Sequence, residues 1–70
     1  MERKKFIDLC QQEAALPGSQ SVELDGILYR PKAYILGFDK KGAPIHTCMI
    51  QDKNSNCIMY APLDRVLERG

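Results

Sequence analysis

The run Val22-Glu23-Leu24-Asp25-Gly26-Ile27-Leu28-Tyr29 decides the fold class. Apolar and polar residues alternate before Asp25-Gly26, and an apolar stretch follows it. Asp-Gly favours a type I′ turn, because both central residues of that turn take positive φ. The spacing predicts a two-residue hairpin with Leu24 opposite Ile27.

Strand signals continue downstream. Pro31 has no amide to give to a ladder, so it predicts an edge, a bulge or a strand break. Ala33 to Phe38 reads Ala-Tyr-Ile-Leu-Gly-Phe, rich in aromatic and β-branched residues, and is expected to be a strand. Gly37 within it suggests a bend or bulge. Asp39-Lys40-Lys41-Gly42 has the composition of a hairpin loop, and Ile45 to Gln51 is the partner strand. Asp52 to Asn56 is a second polar turn, and Cys57 to Tyr60 is the last strand of the meander.

Upstream the period changes. Phe6, Leu9 and Cys10 recur at helical spacing, with Ile7 and Ala14 beside them, which predicts a helix over about 2–16. Pro17-Gly18-Ser19 ends it. Arg3, Lys4 and Lys5 lie at the positive end of the helix dipole, where cations are unfavourable. Either the first turn frays or these charges face something negative. At the other end Pro62 fits a first helical position. Asp64 and Arg69 agree with the dipole, and Leu63, Val66 and Leu67 make one face. The expectation is a short C-terminal helix over about 62–69, docked on the sheet because two turns do not stand alone.

The chain is therefore expected to be a single α+β domain over 1–70: a small antiparallel β-meander of about four strands over 21–60, between two helices. Tyr34-Ile35-Leu36, Met49-Ile50 and Ile58-Met59-Tyr60 are contiguous apolar runs. A sheet with one wet face alternates more cleanly, so these runs favour a curled sheet. From about Val22 to Val66 the pattern resembles that of SH3-like small barrels. The expected core is Phe6, Leu9, Cys10, Leu24, Ile27, Tyr34, Leu36, Ile45, Met49, Ile58, Tyr60, Val66 and Leu67.

Composition narrows the function. Seventy residues with 44% apolar and 27% charged side chains match an ordinary folded domain rather than a disordered one. A chain this short has a thin core, and a deep catalytic pocket would consume much of it. An enzyme is not expected. Ten Lys and Arg against nine Asp and Glu announce no highly charged partner. No apolar run approaches a membrane span, and the charged residues from Glu2 to Glu13 do not form a signal peptide. The expected location is the cytoplasm.

Three cysteines, Cys10, Cys48 and Cys57, make no C-x-x-C pair. With the lone His46 they are too dispersed for the paired ligands of a structural zinc site, so neither metal nor cofactor is expected. His46 and Cys48 are two apart on one strand face. About 7 Å separates such neighbours, too far for a nucleophile and its base.

Two binding readings remain. The favoured one is a small regulatory module that acts on a protein partner or on a second copy of itself, a size common among proteins of phages and other mobile elements. A homodimer through a sheet edge would relieve the thin core. The alternative is a nucleic-acid-binding small β-barrel. Its contacts would be Tyr29, Arg30, Lys32 and Tyr34, an interleaving of cations and aromatics, with Lys40 and Lys41 at a loop tip. The net charge of +1 is well below the basic footprint usual for that function.

Overall fold

In the computed structural model, which describes residues 1–69, a helix precedes a five-stranded antiparallel sheet. The helix α1 spans Arg3–Ala15, and the strands are β1 Ser21–Leu24, β2 Ile27–Phe38, β3 Pro44–Asp52, β4 Ile58–Pro62 and β5 Leu67–Arg69. A single 3₁₀ turn, Leu63–Arg65, links β4 to β5. The sheet order is β4-β3-β2-β1-β5.

The Asp25-Gly26 hairpin forms in the expected register, with Leu24 paired to Ile27. Asp25 and Gly26 take φ of +51° and +83°, the left-handed region that a type I′ turn requires. Pro31 does not break its strand. β2 runs through it as one long strand, and its register against β3 shifts between Pro31 and Ala33. The bulge lets a residue without an amide sit inside a paired strand. The 39–42 loop closes on the Asp39 carboxylate, which accepts the N–H groups of Lys41 and Ala43 at 2.8 and 2.9 Å.

The C-terminal helix is replaced by the 3₁₀ turn and β5. Leu63 and Val66 are buried while Leu67 is exposed, so the three do not share one face. Residues Leu67–Arg69 pair instead with β1, Glu23 with Leu67 and Ser21 with Arg69. Extended pairing wins because β1 otherwise presents an open row of backbone donors and acceptors.

The sheet does not close into a barrel. β4 and β5 stand at opposite ends of the strand order and do not pair. The core lies between α1 and one sheet face. Phe6 and Leu9 of the helix meet Val22, Leu24, Tyr29, Cys48, Ile50, Ala61, Leu63 and Val66. Of the residues expected inside, Ile27, Leu36, Ile45, Ile58, Tyr60 and Leu67 are exposed. α1 packs on β2 and is short, so it covers only part of a molecule 37 Å long and 17 Å thin. Of the contiguous apolar runs that suggested a curled sheet, Ile35-Leu36 and Ile58-Met59-Tyr60 therefore lie open, while Ile50 is enclosed.

Candidate interaction surface

The expected contact residues fall into separate places. Tyr29 belongs to the core, with only 4% of its surface exposed, and a buried ring is not available to stack on a base. Arg30 is half-buried and engaged: its Nε donates to Glu13 Oε2 at 2.5 Å. Tyr34 is partly buried against the core, and its hydroxyl shares a 2.5 Å hydrogen bond with His46 Nδ1. Lys32, Lys40 and Lys41 are exposed. Lys32 sits at the bulge, and the lysine pair sits at the hairpin tip. The six strand residues Ala33 to Phe38 separate them, about 20 Å at the usual rise per residue. The structure does not bring these six residues together into one site.

Glu13 explains why Arg30 is held. It is 2% exposed and lies in the last turn of α1. Its carboxylate accepts the N–H groups of Gly18 at 2.7 Å and Gln20 at 2.9 Å, besides Arg30. Burial alone would push this carboxyl up. The two backbone amides and the guanidinium outweigh that and hold it below the ordinary glutamate range. The cluster ties α1, the turn after it and β2 together, and its arginine is not free for an external anion.

The cysteines divide by burial. Burial, with the charge of Glu13 second, raises Cys10 to about 11. Burial also raises Cys48 to about 12. Neither is a thiolate near neutral pH, and thiols in that state are poor nucleophiles. Cys57 is exposed beside β4. His46 is on the same strand as Cys48, but its Nδ1 is occupied by Tyr34, whose ring stacks on it with centroids 5.9 Å apart. Among the described residues no three His, Cys, Asp or Glu side chains gather as metal ligands.

What the structure does assemble is apolar surface. Along the far half of the β2–β3 hairpin, Ile35, Leu36, Phe38 and Ile45 are all exposed, Phe38 at 65%. Consecutive strand residues point to opposite faces, so Ile35 and Leu36 carry this character to both sides of the sheet. An open cleft of about 470 Å³ adjoins the hairpin, lined by Met1, Pro44, Ile45, His46, Pro62, Leu63 and Asp64. Beyond β3, the edge strand β4 exposes Ile58, Met59 and Tyr60. Sequence reading missed this surface because it assigned Leu36, Ile45, Ile58 and Tyr60 to the core. The available signal was the length of the apolar runs set against a single short helix able to cover them. No family of proteins, no curated protein and no solved structure matches this chain.

Proposed function

We infer that this protein is a non-enzymatic binding module that acts on a protein partner through the far half of the β2–β3 hairpin. One observation carries the reading. Ile35, Leu36, Phe38 and Ile45 lie exposed on a paired hairpin, outside the core that α1 covers. Clustered apolar exposure of this kind marks interaction surfaces on small proteins. Aromatic and aliphatic anchors presented on a fixed scaffold supply most of the affinity in protein interfaces.

Nucleic-acid binding is less well supported. Arg30 is neutralised, Tyr29 is inside, and the exposed lysines stand apart. The experiment is affinity capture from native lysate with parent protein and with Phe38→Lys, each with and without nuclease. A stoichiometric protein retained by the parent after nuclease, and lost by Phe38→Lys, supports this reading. Material that depends on nucleic acid, and is indifferent to Phe38, overturns it.

A further inference from the structure

A second surface is independent of the hairpin tip. Among the described residues β4 is hydrogen-bonded on one side only, to β3, so its other side presents backbone donors and acceptors that no described strand pairs. Natural edge strands are usually guarded by shortness, charge or an inward-pointing lysine. β5, the other edge, follows that rule. It has three residues, two of them charged, and Glu68 and Arg69 are committed to Lys5 and Glu23. β4 has only one guard, the proline at its end. From Cys57 to Leu63 there is no charged residue. Ile58, Met59 and Tyr60 are exposed, Tyr60 at 62%. Pro62, which lacks an amide, marks the end of the strand.

We propose that the β4 edge pairs with the β4 edge of a second copy of this chain, antiparallel and about a two-fold axis, joining two sheets into one of ten strands. A strand pairs with itself most readily when nothing on it repels its copy. The uncharged β4 meets that condition. A β5–β5 contact would set Glu68 beside Glu68, an unfavourable like-charge pair. Two-fold contacts of this isologous kind are also the commonest in homo-oligomers. An axis at the middle of Ile58–Pro62 places Tyr60 beside its copy on the sheet face away from α1. One tyrosine carries about 200 Å² of surface, so one strand with three such side chains buries an area at the small end of stable interfaces, below about 1,200 Å² in total. The dimer is therefore expected to be reversible, with a dissociation constant in the micromolar range. This inference goes beyond the partner-binding reading and uses a different strand.

The experiment is sedimentation of the purified full chain from low to high micromolar concentration. The parent should pass reversibly from monomer to dimer. Tyr60→Lys and Tyr60→Glu should each remain monomeric while keeping the parent's circular dichroism, since Tyr60 is outside the core. Mixed in equal amounts, the two should regain the dimer, because a two-fold contact sets the new lysine against the new glutamate. Hydrogen exchange on the parent gives a second readout, with β4 amides becoming protected as concentration rises. A parent that stays monomeric at high micromolar concentration overturns the proposal. So does an assembly larger than two, or a mixture that remains monomeric. Either of the last two would point to a head-to-tail contact between β4 and β5.

Discussion

Glu13 on α1 and Arg30 on β2 are joined by a 2.5 Å hydrogen-bonded ion pair, and the carboxylate is almost completely buried. The pair lies on the seam between helix and sheet. It is also where two of the turn's backbone amides end. Removing the carboxylate strands all three donors at once. Breaking a buried pair in this way typically costs about 3–5 kcal/mol, comparable with the whole stability of a small domain, about 5 kcal/mol at the lower end. Glu13→Ala should therefore be largely unfolded at room temperature. Glu13→Gln, which keeps an acceptor, should fold but melt well below the parent. Circular dichroism melts of both check this, and a Glu13→Ala variant that melts like the parent would remove the pair's structural role.

Stability should fall on both sides of neutral pH. Glu13 is held below its ordinary range, despite burial, by backbone amides and Arg30, and Asp52 is held low by the N–H groups of Ser55 and Asn54. A lowered native value means that the unfolded chain takes up protons first. The contribution is complete above the unfolded values, about 4.3 for glutamate and 3.9 for aspartate, and is lost as pH falls through the lower native ones. On the alkaline side, burial raises Cys10 to about 11 and Cys48 to about 12. Unfolded thiols ionise from about 8.5, so stability declines from there upward. Urea titrations across pH read both limbs. Glu13→Gln should flatten the acid limb, and an unchanged slope would assign that limb elsewhere.

Thiol labelling should be stepwise. Exposed Cys57 should react with iodoacetamide at neutral pH while buried Cys48 stays unmodified until denaturant is added, and half-buried Cys10 should lag behind Cys57. Mass spectrometry over time gives the order. Simultaneous labelling of all three would mean that the core around Cys48 opens readily.

Core substitutions should separate inside from outside. Phe6 and Ile50 are fully buried. Phe6→Ala should cost about 3–5 kcal/mol and Ile50→Val about 0.5–1.5 kcal/mol. Leu36→Ala and Phe38→Ala, at the exposed half of the hairpin, should each cost about 1 kcal/mol or less. Chemical denaturation decides. A large loss at Phe38 in dilute solution would place it in a core the structure does not contain.

The Asp25-Gly26 turn offers a backbone test. Gly26 holds φ of +83°, and a side chain added there meets no steric neighbour. Any cost of Gly26→Ala is then conformational, about 1–2 kcal/mol for a left-handed L-residue. A neutral result would show that the turn relaxes to another type.

Local signals were legible in the sequence, and pairings at a distance were not. Asp25-Gly26 fixed its hairpin, and the Phe6, Leu9 spacing fixed the helix, because both readings need only neighbouring residues. The chain end defeated the same reasoning. Leu63 and Val66 are three apart, a spacing that suits one turn of 3₁₀ as well as an α-helix, and only the open side of β1 determines that Leu67 continues as a strand. The alternation of β3 was obscured by the apolar Met49 between Cys48 and Ile50. Tyr34 pairs with Cys48, which puts Cys48 and Ile50 inward and leaves Met49 on the other face. The candidate contacts failed for a related reason. Nothing near Arg30 announces that its partner is Glu13, seventeen residues earlier on the helix.

The two neighbours of β1 reach it by very different routes. β2 arrives through a two-residue link, whereas β5 follows β1 in sequence by more than forty residues. Closing the long loop costs chain entropy that a short hairpin avoids. Folding should therefore begin in the local hairpins and finish when Leu63, Val66 and β5 dock. Contacts made after the rate-limiting barrier leave the refolding rate almost untouched and govern the rate of escape from the native state. Shortening Leu63 or Val66 should thus reduce the lifetime of the folded protein, while the time it takes to fold stays close to that of the parent.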